Sequence, residues 1–62
     1  MNDNYNWKRF FRTNGRWSGW HLCNENNECK CGWVYLPDEF TKTEIKDTKP
    51  YYFVCAVCEL TS

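Results

Sequence analysis

Cys29-Lys30-Cys31-Gly32-Trp33-Val34-Tyr35-Leu36-Pro37 and Tyr52-Phe53-Val54-Cys55-Ala56-Val57-Cys58 are the two stretches whose reading decides the fold. Each sets a pair of cysteines beside aromatic and β-branched residues. A C-x-x-C turn brings two thiolates within reach of one tetrahedral cation, and a closed structural zinc site takes four such ligands. Two such pairs predict a metal gripped at the tips of two hairpins. The fold expected is a small metal-stapled β module with short antiparallel strands.

The ligand set follows from the spacing. Cys55 and Cys58 form a regular C-x-x-C, in which backbone N–H groups after the first cysteine point back at sulfur and favour the thiolate. Cys31-Gly32 reads as the end of a similar turn, where glycine tolerates the positive φ that follows the second ligand. The partner of Cys31 is less direct, because Glu28 stands where a C-x-x-C would put it. Cys29 and Cys31 can bind together as C-x-C, since residues i and i+2 of a strand share a face. The expected set is therefore Cys29, Cys31, Cys55 and Cys58, with Cys23 or His21 as the alternatives to Cys29. Whichever cysteine is left over reads as a small buried hydrophobe.

Composition fits a stapled domain. A chain of 62 residues forms one domain and buries only about 60% of its unfolded surface, so it commonly needs a metal, disulfides or a partner. Aliphatic residues are few, but there are four Trp, four Tyr and four Phe, and large rings bury much area per residue. The cysteine count is five, an odd number that suits metal ligation in a reducing compartment better than a disulfide framework. Met1 to Asn6 shows no apolar stretch of the signal-peptide kind, and no run approaches the roughly 18–20 apolar residues of a membrane span. The expectation is a cytoplasmic chain with no membrane partner.

Net charge is zero, but it is unevenly spread. Lys8, Arg9, Arg12 and Arg16 make the start basic, while Glu25, Glu28, Asp38, Glu39, Glu44 and Asp47 make the middle acidic. Along the chain, residues 1–6 read as a frayed tail. Residues 7–12 read as strand or irregular structure, although Trp7, Phe10 and Phe11 also fit a helical spacing. Asn14-Gly15 is a hairpin signal of the type I′ kind. Ser18 to Cys23 reads as a second strand, 24–28 as turn, Cys29 to Leu36 as a strand and Tyr51 to Val54 as the last one. Phe40 to Thr48 is polar enough to hold a helical turn or nothing regular.

Cys31-Gly-Trp-Val-Tyr-Leu-Pro-Asp38 resembles the rubredoxin signature C-G-Y-x-Y-x-P, and Tyr52-Phe-Val-Cys-Ala-Val-Cys58 resembles its second half. The likeness covers about residues 29–59 and implies a rubredoxin-like zinc ribbon, with two knuckles meeting at a Cys₄ site. The chain departs from that pattern where Ala56 replaces proline, where Glu59 replaces glycine and where the first pair is C-x-C. Those positions tune an iron centre's potential through N–H···S bonds. The expectation is thus one structural Zn²⁺ and the fold without the redox function, an Fe(Cys)₄ electron carrier being the alternative.

These readings predict a non-catalytic interaction module. One His, no serine in a nucleophile setting and more cysteines than a closed site needs speak against an enzyme. The basic aromatic arm of Trp7, Lys8, Arg9, Phe10, Arg12 and Arg16 is the expected partner-binding surface. Guanidinium groups pair with carboxylates or phosphates, and rings fill pockets or stack on bases. A protein partner is expected ahead of nucleic acid because net charge is zero. A second copy could cover an exposed strand, and a short Asn-rich chain suits a phage or bacterial accessory factor. The competing reading is that these aromatics form the core.

Overall fold

The computed structural model describes residues 4–62. Its elements are β1 (Asn6–Arg12), β2 (His21–Cys23), β3 (Phe40–Lys46) and α1 (Ala56–Thr61). The strands form one antiparallel sheet in the order β2-β1-β3. The expected antiparallel β module is present. The frayed tail expected over residues 1–6 falls partly outside the described residues, and within them Asn6 already pairs with Cys23.

β1 is a strand and not a helix because it has a ladder on each side. Trp7 pairs with Leu22 on one side and with Lys46 on the other. The following turn is a hairpin, but not the expected type I′. Gly15 donates its N–H to the Arg12 carbonyl, Arg12 donates to the Arg16 carbonyl, and only Gly15 takes a positive φ, 85°. That is a three-residue loop with glycine in the left-handed position. Phe11 and Trp17 pair across it and meet edge-on, centroids 5.1 Å apart.

Three expectations about elements are corrected. Residues 29–36 are not a strand: Gly32 donates to the Cys29 carbonyl and Cys29 to that of Trp33, so the chain reverses with Gly32 at φ 93°. Residues 51–54 form a bend with one ladder pair, Trp20 with Val54, in place of a strand. Residues 40–46, expected to be irregular or helical, make the long edge strand β3. Residues 41–44 are polar on both faces, so the strand lacks the alternation that marks a half-buried one, while Thr41, Thr43 and Ile45 supply β-branching. The helix α1, absent from the reading of the sequence, begins directly after Cys55.

The core is aromatic. Phe10 is fully buried, stacks on Tyr35 with centroids 4.0 Å apart and meets Phe40 edge-on at 4.9 Å. Trp7, Trp20 and Leu22 complete it with Cys23, Cys29 and Cys58. Several members of the expected partner-binding arm are therefore interior. Trp7 and Phe10 are core, and Lys8 is buried. The Lys8 ammonium donates to the Asn24 carbonyl at 2.9 Å and to Asn27 Oδ1 at 3.0 Å, which lets a charge lie inside. Burial pushes Lys8 below its ordinary pKa, against the attraction of Glu25. Arg9 and Arg12 are half-buried and Arg16 is exposed.

Candidate metal centre

Three separate segments bring one set of donors together. His21, Cys31, Cys55 and Cys58 each offer one ligand atom, and these atoms all lie within 4.8 Å of one another. His21 Nδ1 is 3.5 Å from Cys31 Sγ and 3.8 Å from Cys58 Sγ. A group of three thiols and one imidazole could hold a metal ion, and it suits borderline-soft cations.

The first half of the site is a matter of strand register. The loop 24–28 is folded by Asn24, whose Oδ1 accepts from the N–H groups of Asn26 and Glu28, and it turns through Asn27 at φ 60°. The arms leaving it are antiparallel: Cys23 pairs with Cys29, and Lys30 donates to the Leu22 carbonyl at 2.9 Å. One further step in that register sets His21 against Cys31. Residues two apart share a face, so the Cys23–Cys29 pair and the His21–Cys31 pair are successive rungs of one ribbon. The inner rung is a disulfide, Cys23 to Cys29.

Cys29, expected among the ligands, is thus placed elsewhere. Its sulfur is bonded to Cys23, and its place in the donor set is taken by His21, the alternative that the sequence left open. Cys31, Cys55 and Cys58 lie together as expected. The register was available in the sequence: positions 23 and 29, and likewise 21 and 31, are equidistant from Asn26 in the all-polar loop.

The second half of the site is held by backbone. Trp20 donates its N–H to the Phe53 carbonyl at 2.6 Å, and Cys55 donates to the Trp20 carbonyl at 2.8 Å, which docks the C-x-x-C beside His21. Gly19 allows that approach, since a Cβ there would lie 3.0 Å from the Phe53 oxygen. Cys55 precedes the first turn of α1, Cys58 lies within it, and Glu59 donates to the Cys55 carbonyl at 2.9 Å.

Burial opposes thiolate formation at Cys55, yet N–H groups of Cys58 and Val57, with the Cys58 and Cys31 thiols, outweigh it and hold Cys55 below the ordinary thiol value. Burial dominates at Cys58 and, with the neighbouring thiols of Cys31 and Cys55, pushes it up to about 11 despite N–H groups from Leu22 and Cys31. A cation at this point would favour ionisation of both thiols, since metal binding displaces their protons. Burial also lowers His21 and keeps its imidazole neutral, the form a metal requires. The other ring nitrogen, Nε2, faces the Tyr35 hydroxyl at 3.5 Å. Compared with family models, with curated proteins and with solved structures, the chain returns no match in any of the three.

Proposed function

We propose that this chain is a non-catalytic interaction module stapled by one zinc ion, with His21, Cys31, Cys55 and Cys58 as ligands. The observation that carries the reading is the spacing of the donors. A tetrahedral zinc with legs of ~2.3 Å to sulfur and ~2.0–2.1 Å to nitrogen has edges of ~3.5 Å between nitrogen and sulfur. The His21–Cys31 and His21–Cys58 separations are 3.5 and 3.8 Å. When bound, the ion would compensate the thiolate charges and tie β2, the Cys31 turn and the start of α1 into one unit. Four protein donors leave no open position for a substrate or an activated water.

The zinc-ribbon likeness enters this proposal in modified form. Cys31-Gly32 supplies one knuckle as the rubredoxin-like pattern implies, but the C-x-x-C opens a helix and the fourth donor is an imidazole. The Fe(Cys)₄ alternative needs a fourth thiolate, whereas the donor beside Cys31, Cys55 and Cys58 is the His21 imidazole. The partner, protein or nucleic acid, is met through the exposed part of the basic aromatic surface, where Arg9, Arg12 and Arg16 remain with Trp17. A cytoplasmic setting belongs to the same proposal, and its mark would be Cys23 and Cys29 recovered as thiols, since a reducing compartment keeps them so.

Native mass spectrometry of freshly purified protein, beside circular dichroism before and after chelation, tests the reading. The expected result is one zinc per chain and loss of the folded spectrum on its removal, because metal-binding free energy is folding free energy in domains this small. Stoichiometric iron with visible colour would replace it with the electron carrier. A fully folded, metal-free chain would end the stapling argument.

A further inference from the structure

One face of the sheet alternates rings with cations. The Arg9 guanidinium lies 4.3 Å from the centre of the Trp17 ring and 5.2 Å from that of Trp20. The Lys46 ammonium lies 5.7 Å from Trp20 and 5.9 Å from Tyr52. The order is Trp17, Arg9, Trp20, Lys46, Tyr52, in which Trp20 is almost wholly buried and Trp17 and Tyr52 are the exposed rings. Alternation along the paired strands puts Lys42 on this face as well, 5.2 Å from Phe11. Glu44 is the acid among these sheet positions and is bonded to Arg9 at 2.5 Å. Arg9, Lys42 and Lys46 against Glu44 leave the face positive.

Beside this ladder runs an open groove of about 580 Å³, lined by Arg9, Trp17, Gly19, Phe53 and Val54 and reaching the metal-binding cluster. That volume lies in the range of ~300–1,000 Å³ usual for ligand sites. Phe53 is the unusual part. It is a bulky residue at φ 51°, in the left-handed region, and 78% of its surface is exposed. Its carbonyl is needed by Trp20, but any residue supplies a carbonyl, and glycine would take this backbone conformation without the strain that a Cβ brings. The chain thus accepts backbone strain and an apolar ring in water at one position. Strain held in this way is a mark of binding sites.

We propose that the groove between Trp17 and Phe53 takes a base of a single-stranded polynucleotide, with Arg9, Lys42 and Lys46 on its phosphates. This rests on the interaction-module reading and names its partner. Charge complementarity and the exposed rings of Trp17, Phe53 and Tyr52 beside these cations favour this occupant. A nucleic acid strand alternates anion and ring along its length, and every base has a face to stack, so such binding is tolerant of sequence. The small cation count makes it weak and sensitive to salt.

The test uses the full, zinc-loaded chain and a fluorescein-labelled oligo-dT of about 12 nucleotides, followed by anisotropy at about 50 mM salt. Phe53→Gly is expected to keep the fold and weaken binding about tenfold, the loss of one stacked base. Phe53→Tyr, which retains the ring, is expected to bind as the wild type. Lys46→Gln should reduce the slope of log affinity against log salt by about 0.7, one phosphate contact on a single strand. Unchanged affinity in folded Phe53→Gly, or no binding by the loaded wild type, overturns the proposal. So does capture of an acidic Glu/Tyr copolymer in place of oligo-dT, which would identify an acidic protein as the partner. Metal content of the same sample separates this failure from failure of the zinc reading.

Discussion

Tyr35 touches both halves of the molecule's chemistry. Its ring is sandwiched in the core against Phe10, and its hydroxyl faces His21 Nε2. A ligating histidine keeps its tautomer through the bond that its second nitrogen makes, and loss of such a partner typically weakens metal binding 10–100-fold. Tyr35→Phe keeps the packing and removes the hydroxyl, so a competition titration with a chromogenic chelator should show zinc affinity falling about tenfold while the folded spectrum persists. Acid acts at the neighbouring atom. Burial lowers His21 from its ordinary value of 6.5, so the stability that a neutral imidazole supplies is complete above that pH and is lost as pH falls through the lowered value. Zinc release followed against pH should increase as pH falls, because protons compete with the metal for the imidazole and for the three thiolates. Binding that did not weaken at all with acid would show that neither the imidazole nor the thiolates hold the ion. In the sequence His21 was visible only as a lone imidazole beside Trp20, and what makes it a donor is the residue it faces across the ribbon.

At the scale of elements, the ribbon 21–31 and the docked turn 53–58 behave differently under substitution. Cys29→Ser breaks the disulfide but removes no donor, so the serine chain should still bind one zinc. His21→Ala should not. Electrospray mass under native conditions reads both, and zinc loss in Cys29→Ser alone would restore the C-x-C set. Gly19→Ala brings a Cβ within 3.0 Å of the Phe53 carbonyl, which is backbone and has little room to give. That carbonyl holds the turn through Trp20, so the substitution should cost on the order of 1–3 kcal/mol in denaturant unfolding and loosen the metal. A midpoint equal to that of the wild type would show that the approach is not tight. The elements legible from the sequence were those with local signals: the Asn14-Gly15 hairpin, the loop 24–28 and the C-x-x-C. The strand β3 was not, since its pairing with β1 comes from tertiary context and, between Phe40 and Ile45, its residues are all polar. Phe53 was hidden for the same reason: nothing local marks a phenylalanine for φ 51°.

For the whole molecule, an aromatic core of this size leaves little margin. Trp20 is almost wholly buried, yet its indole Nε1 has no hydrogen-bond partner among the described residues, and an unsatisfied buried donor costs about 1–3 kcal/mol. Phe10 is completely enclosed by Tyr35 and Phe40, and Phe10→Ala should lower stability by about 3–5 kcal/mol. Most small domains have only about 5–15 kcal/mol in total, so thermal melting of the zinc-loaded variant should fall to near ambient temperature. A melt within a few degrees of the wild type would mean that the staple, and not the rings, carries the fold. The same economy draws part of the expected partner-binding arm into the core. Trp7, Lys8 and Phe10 look like a sticky basic arm in one dimension, and in three they are interior.

The successive rungs Cys23–Cys29 and His21–Cys31 also set an order of assembly. Both close short loops around Asn26, whereas bringing Cys55 and Cys58 to His21 closes a much longer stretch of chain. Closure of short loops takes tens of nanoseconds and costs less entropy, so the ribbon forms early and presents an imidazole and a thiol side by side. An arriving ion would meet two donors already side by side and wait only for the tail. A metal bound by this group would act as a latch on the last step, and the rate at which the chain matured would then depend on how fast residues 53–58 find a partly loaded ribbon.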